Sequence, residues 1–262
     1  MSVEKTAEQK AAPNARARIL TRGEAPSIAY HRLEGRGPGV MFLTGFMSDM
    51  SGSKALALDG LCRARGQAFL RFDYRGHGES KGAFEEADIA TWFADALDAF
   101  DLLTEGPQVL VGSSMGGWMM LLLARARPDR VKGLVGIAPA PDFTERLMLA
   151  MTPEHRIEME ATGKVVVASA YGSDYVFTRG LLSSGRAHRL LEGAIAFDGP
   201  VRLLHGTADA AVPWEISARI LEVLTSKDVE LTLVKDGDHR LSEPDDLARL
   251  TAVVANLLDR FA

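Results

Sequence analysis

Gly112-Ser113-Ser114-Met115-Gly116 carries the strongest chemical signal in the chain. The aliphatic run Val109-Leu110-Val111 leads into it and Trp118 to Ala124 leads out, so a strand, a sharp turn and a helix are expected in that order. A serine at the apex of such a turn is held at a strained backbone angle with its hydroxyl above the sheet edge, provided its neighbours at two removes lack side chains. Ser114 is therefore the candidate nucleophile, and a plain Gly/Ser turn is the competing reading.

A serine hydroxyl attacks only when a base takes its proton and a third group orients that base. Asp209 follows the apolar run Val201 to Leu204, and His239 follows Val229 to Val234. Serine, acid and histidine then appear in the chain order that a nucleophile elbow demands, each after a strand. Among the six histidines, His31 belongs to an early strand, His155 and His188 to a proline-broken middle segment, and His77 to a glycine turn. His205 is the rival base, although its place at a strand end suits a structural hydrogen bond. Asp198, Asp236 and Asp238 are the rival acids. Asp198 precedes its strand, and the other two lie in the histidine's own turn. Two backbone N–H groups are expected to stabilise the oxyanion, that of Met115 after the nucleophile and that of Phe46 in the loop after Val40-Met41-Phe42-Leu43. Met47, Met50, Trp118, Met148 and Trp214 are the candidate pocket side chains, with ordinary core packing as the alternative.

These residues need a frame that brings strand ends together. Arg16 to Arg22 and Ser27 to Leu33 are predicted edge strands; Val40 to Leu43, Ala68 to Asp73, Val109 to Val111 and Val131 to Ile137 are predicted buried strands. Helices are predicted over 54–65, stopped by Gly66, over 85–103, and after the serine to Ala126. Alternation of strand and helix implies parallel strands with crossovers on both faces. Between Pro139 and Pro200 the rhythm breaks: prolines, methionines and the aromatics Phe143, Tyr171, Tyr175 and Phe177 divide short helical patterns. We read an inserted helical cap over 141–198, a core over 15–140 and 199–262, and a loose N-terminal tail over 1–14. Strand Val229 to Val234 and an amphipathic helix from Glu243 close the core.

Composition sets the remaining expectations. With 262 residues, 47% hydrophobic and 25% charged, the chain is an ordinary globular one. A net charge of −5 gives no basic footprint for nucleic acid. Cys62 is the single cysteine, so neither an internal disulfide nor a cysteine-rich metal site is expected. Asp73 to Ser80 lacks the third glycine and helix start of a dinucleotide loop, and no cofactor is expected. No apolar run reaches membrane-spanning length and the tail lacks a signal-peptide core, from which a cytoplasmic location is expected.

Leu43-Thr44-Gly45-Phe46-Met47-Ser48-Asp49-Met50 with Gly52-x-Lys54-Ala55, Arg71-Phe72-Asp73-Tyr74, Val111 to Trp118, Arg202 to Gly206 with Val212-Pro213-Trp214, and Asp238-His239-Arg240 together resemble the serine α/β-hydrolase superfamily. The likeness is strongest to the family of palmitoyl-protein thioesterases and mycophenolic acid acyl-glucuronide esterases, over residues 38 to 140 and 199 to 250. It implies an α/β-hydrolase fold, a cofactor-free acyl-serine mechanism, and Ser114, Asp209 and His239 as nucleophile, acid and base. The expected substrates are small-molecule or protein-bound esters and thioesters with medium to long acyl groups. A non-catalytic ligand-binding protein of this fold, or a triad enzyme acting on amide or carbon–carbon bonds, are the alternatives, since fold alone does not decide function.

Overall fold

The computed structural model describes residues 16–168 and 174–261; the expected tail over 1–14 and the cap residues Tyr171 and Gly172 lie outside them. Strands β1 (Arg18–Arg22), β2 (Ala25–Leu33), β3 (Arg36–Leu43), β4 (Gln67–Phe72), β5 (Gln108–Ser113), β6 (Val131–Ile137), β9 (Val201–Gly206) and β10 (Val229–Val234) form one sheet in the order β1-β2-β4-β3-β5-β6-β9-β10. From β4 to β10 every pairing is parallel, while β1 and β2 pair antiparallel, as do β2 and β4. This is an α/β-hydrolase sheet. Its strands β3, β4, β5, β6 and β9 run as largely buried, mostly apolar stretches, because helices cover both faces, whereas β10 at the edge is partly exposed.

The helices are α1 (Ser53–Arg65), α2 (Ile89–Leu103), α3 (Met115–Ala126), α7 (Glu215–Val223) and α8 (Pro244–Asp259). Gly66 ends α1 at φ 62°, a left-handed position that glycine adopts without steric penalty. Helix α2 begins at Ile89 rather than Glu85, because Asp88 and Thr91 exchange side-chain and backbone hydrogen bonds as a capping box, leaving only a short 3₁₀ turn at Phe84–Glu86. Helix α3 is buried along Met115 to Ala124. Its uniformly apolar sequence matches a helix with no solvent face. Cys62 is buried inside α1, and loss of solvent, added to by the nearby charge of Asp59, pushes its thiol up to about 12.

The stretch between β6 and β9 contains α4 (Phe143–Ala150), α5 (Pro153–Thr162) and α6 (Arg179–Ala187). It also holds an antiparallel ribbon, β7 (Lys164–Val167) with β8 (Tyr175–Thr178), that the reading of short helical patterns did not anticipate. The alternation of Tyr175 and Phe177 puts both rings on one face of β8. This stretch is fastened to the core by Trp118 Nε1–H donating to the His188 carbonyl at 3.1 Å and by Ala90 N–H donating to Ser184 Oγ at 2.9 Å.

At the centre, β5 turns into α3 so tightly that glycine is required on both sides. A Cβ on Gly112 would lie 2.6 Å from the Gly116 carbonyl carbon, and one on Gly116 would lie 2.6 Å from the Thr44 carbonyl oxygen and closer still to that of Leu43. Backbone cannot yield as a flexible side chain can. Gly116→Ala is expected to destabilise the fold by about 1–3 kcal/mol, the usual cost of forcing atoms into a filled site. Urea unfolding measures it, and a loss below about 0.5 kcal/mol would contradict the close approach of α3 to β3.

Candidate active site

Ser114 sits between β5 and α3 at φ 54° and ψ −121°. A non-glycine residue holds this left-handed angle only when its surroundings impose it. Ser114 N–H donates to the Ile137 carbonyl on β6 at 2.9 Å, and its carbonyl accepts from Gly117 and Ala140. With the backbone pinned on three sides, the side chain projects from the carboxyl edge of the sheet. Ser113, one residue earlier, ends β5 as a buried residue.

The ends of β9 and β10 bring two more groups to the same edge. Thr207 N–H bonds to Val234 and Ala208 N–H bonds to Gly237, so the two loops are laced together by their backbones. His239 Nδ1 lies 2.7 Å from Asp209 Oδ2, and His239 Nε2 lies 3.0 Å from Ser114 Oγ. An ionised carboxylate only accepts, so Nδ1 donates to Asp209 and the Nε2 lone pair faces the serine hydroxyl. His31 and His155 take no part in this chain. Neither do Asp198, which meets Thr225 Oγ1 at 3.3 Å, or Asp236 and Asp238, whose bonds stay within their own turn or reach Thr207.

His205, the rival base, lies on the far side of the acid. It is fully buried, with Nε2 at 3.1 Å from Asp209 Oδ2 and 2.9 Å from the Val212 carbonyl, and Nδ1 at 2.7 Å from Ser217 Oγ. Because the Val212 carbonyl can only accept, Nε2 bears the proton and shares it with the acid. Asp209 Oδ1 meanwhile accepts from the N–H groups of Ala211 and Val212. Burial alone would raise the Asp209 carboxyl. The hydrogen bonds of His205 and His239, the charge of His239 and the Val212 N–H outweigh it and hold the group well below the usual carboxylate range.

The loop after β3 supplies the opposite wall. Met115 N–H belongs to the first turn of α3, where intrahelical acceptors are lacking. Phe46 N–H has no acceptor among the described residues, while Gly45 C=O receives Ser48 N–H and Met47 N–H donates to His77 Nε2 at 3.2 Å. The glycine-turn histidine thus supports the loop. Its Nδ1 donates to the Arg75 carbonyl at 3.2 Å, and burial lowers its pKa, which favours the neutral ring that such an acceptor must be. Met50 N–H and Glu79 N–H both donate to Asp73, whose carboxyl burial raises to about 6 despite them. Arg71 Nη1 bonds to the Met50 carbonyl.

Between these walls lies a cavity of about 440 Å³ that reaches Ser114 and His239. One part is apolar, formed by Phe46, Met47, Met115, Phe143, Tyr175 and Phe177. Phe46 is its hub: the ring stacks on Phe177 at 5.3 Å and 12°, and packs against Phe143 at 5.7 Å and Tyr175 at 5.9 Å. Of the five expected pocket side chains only Met47 lines it. Met50 is turned into the core with its backbone held by Asp73 and Arg71; Trp118 is wholly buried on α3, edge-on to Phe143; Met148 faces Arg186 on α6; Trp214 caps α7. Lys54 and Arg240, for which no role was foreseen, lie in the wall. Lys54 stands in the Gly52-x-Lys54-Ala55 motif, which carries part of the family likeness but assigns the lysine no role.

The depressed Asp209 carboxyl carries a pH signature. Its contribution to stability is fully present above about pH 4, the unfolded carboxylate value, and is lost as pH falls toward the lower native value. In Asp209→Asn the unfolding free energy, measured by urea at a series of pH values, is expected to fall less steeply between about pH 4 and pH 2 than in the wild type. Parallel curves would contradict the linkage.

Comparison with known proteins gives this geometry its relatives. The family model of serine aminopeptidase, S33, matches residues 39–180. Palmitoyl-protein thioesterase ABHD10, mitochondrial, of Mus musculus is 40% identical over 246 residues, covering 93% of this chain and 83% of that protein. The solved alpha/beta hydrolase domain-containing protein 10 from mouse superposes with a TM-score of 0.89 at 40% identity, over 95% of this chain and 100% of the other. A solved protein of Agrobacterium vitis S4 gives a TM-score of 0.88 at 39% identity, over 92% and 97% of the two chains. The expected cytoplasmic location is corrected by these relatives: those matching 93% of the chain, from mouse to human, are named mitochondrial, and the lack of a signal-peptide core never bore on that compartment. The chain belongs to the serine aminopeptidase, S33, family of α/β hydrolases, and it is an enzyme of the hydrolase class.

Proposed function

We propose that the protein cleaves carboxylic esters and thioesters of medium to long acyl groups through an acyl-serine intermediate, with Ser114 as nucleophile, His239 as base and Asp209 as its orienting acid. The observation that carries this reading is the unbroken hydrogen-bonded series from Asp209 through His239 to Ser114, ending at a cavity with an aromatic wall. Ser114 Oγ attacks the acyl carbon as its proton passes to His239 Nε2, and the oxyanion is met by the N–H groups of Phe46 and Met115. The tetrahedral adduct collapses, the carbon–oxygen or carbon–sulfur bond breaks, and the leaving atom takes the proton from His239. Water then repeats the sequence on the acyl-serine, releasing the acid and restoring the serine.

The ring cluster around Phe46 supports an apolar acyl group, since aromatic walls bind by area and shape. Met47 can adapt to several chain shapes. The core over 15–140 and 199–262 supplies the three reacting side chains, and the segment over 141–198 acts as a cap that supplies Phe143, Tyr175 and Phe177 to the acyl side. The name of the mouse relative marks a protein S-acyl thioester as its substrate, which supports the thioester half of the reading.

Although the family description names an aminopeptidase, an aminopeptidase site needs a carboxylate for the peptide's terminal ammonium. The carboxylate of the cavity wall, Asp49, is engaged by the N–H and hydroxyl of Ser51. A non-catalytic binder would have no use for a serine held at a left-handed angle beside a base.

An octanoyl series with p-nitrophenol, a thiol and p-nitroaniline as leaving groups tests the proposal. The ester and thioester are expected to exceed the anilide in kcat/KM by at least about a hundredfold, equivalent to about 2.7 kcal/mol of barrier. An anilide within about tenfold of the ester, or an acetyl ester about tenfold faster than the octanoyl one, would overturn it.

A further inference from the structure

The loop after β3 makes a tight turn beside the nucleophile. Ser48 N–H closes it on the Gly45 carbonyl at 3.2 Å, and a Cβ on Gly45 would lie 3.3 Å from the Ser114 Cβ. Carbonyl and N–H point opposite ways across a planar trans peptide. With the Gly45 carbonyl turned to Ser48, the Phe46 N–H therefore points out of the turn. Met47, at the third position, has φ 52°, an angle that glycine or asparagine usually takes there. A methionine gains nothing locally from this angle, so an outside contact must hold it.

That contact is His77. Met47 N–H donates to its Nε2 at 3.2 Å, from a residue thirty positions along the chain. The ring is itself fixed. Its Nδ1 donates to the Arg75 carbonyl at 3.2 Å, and it meets Tyr74, Phe84 and Trp92 edge-on at 5.7, 5.1 and 5.2 Å. Loss of solvent lowers its pKa against the Arg75 carbonyl and the charges of Asp95 and Asp49, so the ring keeps a lone pair for Met47. The peptide planes on either side of Phe46 share its Cα. Turning the second, as release of Met47 to a negative φ would do, swings the first and its N–H with it.

We propose that His77 is a positioning residue of the oxyanion site, which holds Met47 in its left-handed turn and thereby keeps the Phe46 N–H aimed at the oxyanion on Ser114. This rests on the acyl-serine reading given above and adds to it a residue that touches neither substrate nor triad. Its effect falls on the transition state, because only there does the oxyanion carry its charge.

His77→Leu removes the acceptor and His77→Gln replaces it with an amide oxygen. With an octanoyl thioester, kcat in His77→Leu is expected to fall at least about tenfold, toward the hundredfold that loss of a whole oxyanion donor costs, with KM within about threefold of wild type. Heptaneboronic acid, whose boron stands where the octanoyl carbonyl carbon would, is expected to bind more weakly by the same factor as kcat/KM, while octanoate binds as before. His77→Gln is expected to recover kcat to within about threefold of wild type. A kcat in His77→Leu within about threefold of wild type, a rise in KM alone, or unchanged boronate affinity overturns the proposal. Equal losses in the leucine and glutamine variants mark a packing role and also overturn it. Where His77→Leu does not fold in urea titrations, His77→Phe, which keeps a ring against Trp92 and lacks the acceptor, takes its place; if neither folds, His77 serves stability and the proposal falls. A wild-type enzyme that leaves the thioester intact, or turnover that survives Ser114→Ala, overturns the acyl-serine reading itself, whereas the variant results leave that reading standing.

Discussion

The left-handed backbone of Ser114 is the constraint on which the remaining geometry depends. It is imposed from outside the residue, by the Ile137 carbonyl that holds its N–H and by α3, which runs so close to the end of β3 that Gly116 has no room for a Cβ. Strain of this kind costs on the order of 1–3 kcal/mol and persists only in an over-determined setting. The buried sheet and the buried apolar stretch Met115 to Ala124 of α3 provide that setting. Because the serine cannot relax, its hydroxyl stays above the sheet edge, and the loops after β3, β9 and β10 need only be brought to a fixed point.

Asp209 organises the second half of the site. Its two oxygens accept from two histidines and two backbone N–H groups, so a carboxylate that burial alone would neutralise remains ionised. One histidine, His205, is locked by Ser217 and the Val212 carbonyl and serves only to hold the acid. The other, His239, is left with a free choice at Nε2 and faces the serine. Two imidazoles on one carboxylate thus have different roles, set by what lies on their other nitrogen. On the opposite wall His77 has a third role, as an acceptor that orients the loop bearing Phe46 and Met47.

Most of the sheet was legible in the sequence because its buried parallel strands carry apolar runs, and the end of α1 was legible from Gly66. Ser114, Asp209 and His239, which the structure brings together, were candidates for a related reason: each lies in the loop that follows a strand-like stretch. The pocket was not. Met50, Trp118, Met148 and Trp214 are as apolar as the residues that line it, and hydrophobic character does not say which face of an element turns inward. The β7–β8 ribbon was hidden by strands of only four residues, too short for a periodic signal. Lys54 escaped because its partner is Arg240, nearly two hundred positions away, a contact that no local pattern contains. The start of α2 was misplaced by the capping box at Asp88, a polar signal that the apolar periodicity overran.

The central claim is that Ser114 is the activated group. Its most direct test is reaction with a fluorophosphonate probe, followed by mass-spectrometric mapping of the modified peptide, because the adduct forms only on a serine whose proton a neighbouring base accepts. A single adduct at Ser114, absent from a folded Ser114→Ala variant, is the predicted result. Modification at Ser113, or undiminished labelling of the variant, would contradict the account.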